Sequence, residues 1–272
     1  FRSPDGERQV SVVWNNDAQP VAMTIPASQA ADFRRAVGLH GQEVQTQPGP
    51  GGTRLLTVGL DPIYLEWNSL FSDVPSGSTF YPYVMCLVSQ GVISGYPDGT
   101  FRPSNNVTRG QIAKVVSNSA GFSDPVPSQA FEDVPPGSTF YDFVGRLASR
   151  DYVGGYPCGA PNEPCVPPTN LPYFRPNANV TRGQLSKIVS ETAAFSDIPS
   201  GQQFEDVPPQ STFYPYIYRL TIRSIMQGYP CGAPNEPCNP PTNLPYFRPP
   251  NTATRGQASK IVSNTFFPTC QP

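Results

Sequence analysis

A stretch of ten residues recurs three times in this chain, and no other sequence feature restricts the fold as strongly. The first copy begins at Val107 and reads VTRGQIAKVV, and related copies begin at Val180 and Ala253. Consecutive copies begin 73 residues apart. Each copy is preceded by the segments FxDV, GYP and FRP in the same order. Repeats of this size cannot bury an apolar face alone and must share a core. The sequence therefore predicts a repeat protein.

Each copy predicts the start of a helix. Thr108 is followed three residues later by Gln111, which is the spacing of a capping box, and Ile112 and Val116 fall on one helical face. The same residue types recur in the other two copies, where Thr181 and Thr254 are the predicted caps.

An arginine and a glycine follow every predicted cap. A cation in the first turn opposes the helix dipole, and glycine there costs up to about 1 kcal/mol relative to alanine. Uncovered backbone N–H groups and a guanidinium fork together suit a carboxylate or phosphate, so this pair is a candidate anion site. The alternative is a structural arginine paired with an acid of a neighbouring repeat. The candidate residues are Arg109, Gly110, Arg182, Gly183, Arg255 and Gly256.

These motifs resemble a known family. The succession FSDV from Phe71, GVISGYPDGTFRP from Gly91 and VTRG from Val107 is similar to the S-layer homology motif, and the resemblance covers roughly residues 69–267. It implies that three motifs build one pseudo-threefold helical domain that attaches proteins to envelope polysaccharide, often pyruvylated. In the family, the arginine of a Thr-Arg-Ala-Glu motif lies at the binding grooves. This chain has Thr-Arg-Gly-Gln, so the arginine carries over and the glutamate does not.

The predicted fold class is α+β and multidomain. Residues 1–67 form a small β-sandwich-like module, and residues 68–272 form a mainly helical S-layer homology domain with two principal helices per repeat. The repeats are expected at about 69–122, 129–195 and 202–267. Strands are predicted at Arg8 to Trp14, Pro20 to Ile25, Thr53 to Val58 and Ile63 to Trp67. The segments VVWNND and DPIYLE in this module weakly resemble a β-sandwich that trails the catalytic barrel of some glycoside hydrolases.

The β module is small for an independent core, so it is expected to complete itself against another surface. Leu55 to Val58 and Val10 to Trp14 carry neither charge nor proline and read as exposed strand edges. A neighbouring copy of the chain is therefore a candidate partner.

Six cysteines point to an oxidising, extracellular location. Cys158 and Cys165 close the segment CGAPNEPC, and Cys231 and Cys238 close an identical segment, so each pair is predicted to form a disulfide. The spacing and the single histidine argue against zinc, and His40 is expected to lie in a turn with a structural role. Cys86 and Cys270 either bond to each other or leave Cys86 as a buried thiol.

Two further recurring residue types have two readings each. The tyrosines of GYP either stack on sugar rings or fill the seam between repeats. The aspartates of FxDV are better explained as caps or as partners of arginine than as catalytic carboxylates. The tyrosines are Tyr96, Tyr156 and Tyr229, and the aspartates are Asp73, Asp133 and Asp206.

Composition excludes several functions. A net charge of −2 with 14% charged residues leaves no basic surface for nucleic acid, and no apolar run is long enough to insert in a membrane. No pattern of a nucleophile, metal cluster or cofactor loop is present, so the chain is predicted not to be an enzyme. The sequence favours a cell-surface protein that binds acidic envelope polysaccharide. The alternatives are a structural subunit of a surface layer, sheath or fibre, and the trailing end of a surface glycoside hydrolase.

Overall fold

The computed structural model describes residues 9–17, 19–25, 30, 32–67 and 70–270. The predicted start of the first strand at Arg8 lies outside these residues. The β module has seven strands in its described part, where four were predicted by position. They are β1 (Gln9–Val13), β2 (Val21–Ile25), β3 (Phe33–Gly38), β4 (Glu43–Val44), β5 (Gln47–Pro48), β6 (Arg54–Val58) and β7 (Ile63–Trp67).

The strands form two antiparallel sheets that share one core. The strand order is β1-β7-β3-β4 in one sheet and β2-β6-β5 in the other. Ile25 and Leu56 from the second sheet and Ala36 and Leu65 from the first belong to one buried cluster. This is a sandwich, because apolar residues of alternating register face each other between the sheets. His40 lies in the turn after β3, as expected.

One predicted strand edge is wrong. Leu55 to Val58 belongs to β6, which lies between β2 and β5 and is paired on both sides. Its lack of charge reflects burial of Leu56 and Val58 in the sandwich and not an exposed edge. β1 does lie at one end of its strand order, and assembly of chains through it stays a prediction.

Six α-helices lie in the part of the chain that the structure describes after the β module, two in each repeat. Thr108 and its two counterparts cap the second helix of each repeat with a complete capping box: the threonine hydroxyl accepts from the N3 amide, and the N3 glutamine accepts from the threonine amide. The helices are α1 (Tyr81–Ser89), α2 (Arg109–Ser119), α3 (Tyr141–Ala148), α4 (Arg182–Thr192), α5 (Tyr214–Thr221) and α6 (Arg255–Phe266).

Backbone hydrogen bonds join the residues that precede the three capped helices into a closed ring. Val107 N–H donates to the carbonyl of Ala253 at 3.0 Å, Ala253 N–H to Val180 at 3.1 Å, and Val180 N–H to Val107 at 3.0 Å. Helices α2, α4 and α6, which follow the residues of this ring, contact one another. Their buried residues Ile112, Leu185 and Val262 show that the apolar faces meet in a shared core.

The chain divides into two compact units. One contains residues 1–88 and 94–103, and the other contains residues 89–93 and 104–272. The division differs from the predicted boundary at residue 67, because the first part of repeat one belongs to the unit of the β module. The buried carboxylate of Asp32 contributes to this: both of its oxygens accept from the Ser76 amide, at 3.0 and 3.1 Å.

Disulfides join Cys158 to Cys165 and Cys231 to Cys238, as predicted, with Cα atoms 4.9 and 5.0 Å apart. Cys86 and Cys270 are also disulfide-bonded, which excludes the alternative of a buried thiol at Cys86. Their pairing with each other stays a prediction. Within the described ranges, no helix has the length and apolarity that crossing a membrane requires, and no group of potential metal ligands occurs.

Candidate functional site

The arginines of the first two copies reach into the following repeat. Arg109 donates from Nε to the carbonyl of Phe174 at 2.7 Å and from Nη2 to the carbonyl of Gly154 at 2.9 Å. Arg182 repeats the arrangement with Phe247 and Gln227, both at 2.8 Å. The two arginines are 5% and 7% exposed, so the contacts hold consecutive repeats together from inside. Arg255 is half-buried.

These two guanidinium groups have carbonyl partners and no carboxylate partner within 4 Å among the described residues. Burial lowers the pKa of both Arg109 and Arg182, because it removes water from a charged group. Arginine nevertheless keeps its charge in proteins. The alternative pairing with an acid of the neighbouring repeat is therefore not what the structure shows. The junctions contain a buried positive charge that carbonyl oxygens and aromatic rings surround.

The expectation that glycine leaves amide groups uncovered at these helix starts is wrong for the first two copies. The amides of Arg109 and Gly110 donate to the carbonyls of Ala178 and Pro176, each at 2.8 Å. The amides of Arg182 and Gly183 donate in the same way to residues of repeat three. Since these N–H groups are already paired, an anion would have to be bound by side chains.

Close packing explains the glycine instead. A Cβ atom at Gly110 would lie 2.5 Å from the ring of Phe140, and one at Gly183 would lie 2.5 Å from the ring of Phe213. Each ring belongs to the residue before the first helix of the next repeat. The glycine therefore allows that helix to approach. Gly256 is buried like the other two.

The recurring aspartates hold the FRP segments. Asp133 accepts from the amides of Phe174 and Arg175 at 2.7 and 2.6 Å, and Asp73 and Asp206 make the equivalent pairs of bonds in their own repeats. Arg175 has φ 59° at this point, in the left-handed region that non-glycine residues rarely adopt. The carboxylate thus stabilises an unfavourable backbone conformation, and the role is capping of a loop and not pairing with an arginine side chain.

Each recurring tyrosine is covered by an arginine. The guanidinium of Arg175 lies 3.8 Å from the ring centre of Tyr156, and Arg109 of the preceding repeat lies 5.4 Å from the same ring. Arg248 and Arg182 flank Tyr229 at 4.0 and 5.2 Å, and Arg102 covers Tyr96 at 3.8 Å. Cation–π contacts of this kind stabilise by about 0.5–2 kcal/mol. The arrangement fits a seam between repeats, and stacking of sugar on these rings stays a prediction.

The disulfide loops supply the acid that orients the covering arginine. Glu163, inside the loop closed by Cys158 and Cys165, binds Arg175 with both oxygens at 2.6 and 2.7 Å. Glu236 does the same for Arg248, with both distances 2.6 Å. Repeat one has no such loop and uses Asp98, whose pKa falls to about 2 because Thr100 and Arg102 donate to it. The loops therefore serve the fold of the junction, a role that sequence analysis missed because twelve residues separate Glu163 from Arg175.

Acidification is expected to remove the contribution of these two loop pairs. Hydrogen bonds from the arginines lower the pKa of Glu163 and Glu236 from 4.5. Folded-state values below the unfolded value mean that the stabilisation is complete above about pH 4.5 and is lost as the pH falls through the folded-state pKa. The double variant Glu163→Gln/Glu236→Gln should melt below the native protein at neutral pH, and the difference should shrink below pH 4.5. Melting scans across this range test it, with Glu132→Gln as control, and a pH-independent difference would contradict the assignment.

Positively charged side chains also lie at two contacts between helices, which we call seams. The first seam is the contact between α2 and α3, and the second is the contact between α4 and α5. Lys114 lies 5.5 Å from the ring centre of Phe143, and Arg146 lies 6.0 Å from it. In the second seam, Lys187 and Arg219 lie 5.9 and 5.7 Å from the ring of Tyr216. Neither lysine has a carboxylate within 4 Å in the described part of the chain. Each seam thus combines an aromatic ring with two cations, and in the second seam Glu191 also interacts with the Tyr216 side chain. Sequence analysis did not single out this feature, although both lysines recur at the same helical position.

The geometry defines a class of protein: a module of repeats that interlock through buried arginines and present basic, aromatic seams. Residues 70–113 and 130–186 match the family model of the S-layer homology domain. These two stretches of the chain therefore carry S-layer homology sequence, as the motifs predicted. The copy predicted at 202–267 lies outside the matched residues but has the same capping box.

Three relatives show where such sequence occurs. The chain is 25% identical to an endoglucanase of Bacillus sp. over 199 residues, which are 71% of this chain and 18% of that protein. It is 24% identical to the cellulosome-anchoring protein of Acetivibrio thermocellus over 150 residues, 51% of this chain and 30% of the relative. It is 48% identical to outer membrane protein SlpA of Thermus thermophilus over 46 residues, 17% of this chain and 5% of the relative. The chain thus spans less than a third of the length of these curated relatives.

Proposed function

We propose that this chain is a non-catalytic cell-surface module that attaches to the cell envelope by binding acidic polysaccharide at the two seams. The observations that carry the proposal are Lys114 and Lys187, which lie beside the rings of Phe143 and Tyr216 and have no carboxylate within 4 Å in the described part of the chain. The buried guanidinium groups of Arg109 and Arg182 add positive charge on the same two helices. The match to the S-layer homology family model and the names of the surface relatives support the location.

The physical argument concerns the cost of isolated charge. A buried guanidinium loses hydration, and carbonyl dipoles offset only part of that loss. A carboxylate on a sugar, such as a pyruvyl group, would supply the missing negative charge through hydrogen bonds that are stronger than neutral ones. The exposed Lys114 and the half-buried Lys187 would bind an anion at the surface, and the aromatic ring beside each lysine offers a flat surface for the sugar. Arg109 and Arg182 would act mainly through the charge, since Nε and Nη2 already donate to the protein.

We further propose that the three repeats form one pseudo-threefold domain. The closed ring of hydrogen bonds among Val107, Val180 and Ala253 supports this arrangement. In such a domain the seams are rigid, because their positions are fixed by the shared core, and a rigid site binds a flexible polymer with a smaller loss of entropy.

The double variant Lys114→Gln/Lys187→Gln is expected to lose about tenfold or more in affinity for purified envelope polysaccharide, which corresponds to roughly 1.4 kcal/mol. The lysines are a better target than the arginines, because loss of Arg109 would also break the junction. Co-sedimentation with wall material measures the effect. Polysaccharide from which acid-labile pyruvyl groups have been removed should bind the native protein as weakly as the intact polymer binds the variant.

A matched control removes equal charge from arginines that already have acid partners. The control is the double variant Arg150→Gln/Arg223→Gln. In the native protein Arg150 pairs with Asp124 at 2.8 Å and Arg223 pairs with Asp197 at 2.7 Å. This variant should bind nearly as the native protein does, since the change in net charge is the same but the seams are intact. Equal loss in both variants would show a nonspecific charge effect, and unchanged binding by the lysine variant would overturn the proposal.

A second candidate function follows from the endoglucanase relative, which matches over 71% of this chain. The module could then be the attachment segment of a longer surface enzyme, with the chemistry performed elsewhere. Self-assembly into a surface layer, sheath or fibre is the rival in which no glycan is bound. Light scattering of the purified chain without wall material separates this rival from attachment, because only self-assembly predicts large particles there.

A further inference from the structure

The β module has a concave surface whose chemistry differs from that of the basic seams. It is an open cavity of about 390 Å³. The residues that line it include Asp17, Gln42, Gly59, Leu60 and Asp61. Gln42 is held in place, because its Oε1 accepts from the amide of His40 at 3.1 Å. The cavity thus offers two carboxylates and a fixed amide next to apolar surface.

Trp14 is an exposed indole in a loop that is bonded to the wall of this cavity. Its neighbour Asn15 donates from the backbone to the carbonyl of Gly59 at 2.9 Å, which joins the Trp14 loop to the cavity wall. The indole Nε1 donates to Asn16 Oδ1 at 3.1 Å, and the amide of Asp17 donates to Asn15 Oδ1 at 3.1 Å. The ring is therefore oriented by its own loop although 59% of the residue is exposed. Leu60, 64% exposed, adds apolar surface on the cavity side of Gly59.

The charges restrict what the cavity binds. Among the described residues that line it, the two ionisable ones, Asp17 and Asp61, are both acids, and none is a lysine or an arginine. An anionic ligand would be repelled there. Carboxylates and amides are strong acceptors for hydroxyl groups, and an exposed indole presents a flat apolar face with which the C–H face of a sugar ring can stack. Convergent polar groups beside apolar surface in a concave site are the general features of small-molecule binding.

We propose that the β module binds a neutral saccharide in this cavity, with Trp14 stacking on one ring and Asp17, Gln42 and Asp61 binding its hydroxyls. The site is independent of the proposed attachment to acidic polysaccharide, because it lies in another part of the chain and its carboxylates repel anionic ligands. One chain would then contact two kinds of glycan.

Tryptophan fluorescence tests the site in the complete chain, with cellohexaose and chitohexaose as the neutral probes. Binding should change the emission of Trp14, whereas Trp67 is an internal reference, since its indole donates to Ser11 at 3.1 Å and packs edge-on against Phe33. A saturable change with at least one hexasaccharide is expected. By isothermal titration, Trp14→Ala should weaken that binding about tenfold or more, and Asp61→Asn should weaken it less.

The control variant is Ile198→Ala, which removes another exposed apolar side chain, 88% exposed, outside the β module. It should bind the hexasaccharide as the native protein does. Absence of binding by both probes at millimolar concentration, or equal binding by Trp14→Ala and native protein, would overturn the inference. Binding of the same hexasaccharide by Lys114→Gln/Lys187→Gln at native strength would support the independence of the two sites, and loss of this binding would contradict it.

Discussion

Replacing Asp133 by alanine should lower the free energy of unfolding by about 3–5 kcal/mol, since two hydrogen bonds from backbone amides to one charged group are lost together. The bonds from Phe174 and Arg175 are 2.7 and 2.6 Å long. They also hold Arg175 in its left-handed conformation, which costs of order 1–3 kcal/mol where nothing supports it. Urea denaturation followed by circular dichroism measures the change. Asp206→Ala should behave alike, because Asp206 makes the same two bonds in repeat three.

A graded series distinguishes this role from a general loss of charge. Asp133→Asn keeps one acceptor oxygen and should fall between alanine and the native protein. Asp142→Ala removes an exposed acid at the start of α3 and should cost only a fraction of a kcal/mol, roughly the value of a helix-dipole contact. If Asp133→Ala unfolded within about 1 kcal/mol of the native protein, the carboxylate would not be holding the loop.

Valine at Gly110 should destabilise the protein by about 2–3 kcal/mol, because the added atoms collide with the Phe140 ring of the next repeat. Gly183→Val should have a similar effect through Phe213. The intrinsic helix propensity changes in the opposite direction, by a few tenths of a kcal/mol, so packing determines the sign. Chemical denaturation of each single variant provides the measurement.

Gly154 is the matched control, since it lies at the same junction and a Cβ atom there meets nothing within 4 Å. Gly154→Val should stay within about 0.5 kcal/mol of the native protein. A double-mutant cycle adds a direct test of the contact: Gly110→Val should cost less in a Phe140→Ala background than in the native chain. Equal cost in both backgrounds would show that the ring is not what excludes a side chain at Gly110.

The local parts of the fold were predictable because their signals lie within a few residues. Thr108 and Gln111 specify a helix start by themselves, and the cysteines of CGAPNEPC are close enough to specify a ring. The partners of Arg109 were not predictable, since Phe174 lies 65 residues away and contributes a carbonyl, which no side-chain pattern reveals. The same holds for Gly110, whose reason is the ring of Phe140.

The β module shows the same limit. β3 was missed because Arg34 and Arg35 interrupt its apolar alternation. In the structure both arginines bind Glu66 of the adjacent strand. β6 was taken for an edge because strand order depends on tertiary pairing, which the sequence of one strand does not contain. For the candidate sites, the arginines after the caps and the tyrosines of GYP were readable from sequence, whereas the grouping of cations around Phe143 and Tyr216 was not.

The ring formed by Val107, Val180 and Ala253 has a consequence for copy number. An open stack of repeats leaves a donor and an acceptor at its ends, so further repeats can be added one at a time. Here the last copy returns its hydrogen bond to the middle one and accepts from the first, so no position remains for a fourth. Cyclic closure of a head-to-tail contact limits assembly in the same way among subunits. Duplication of this module should therefore succeed in whole triplets and fail for single repeats.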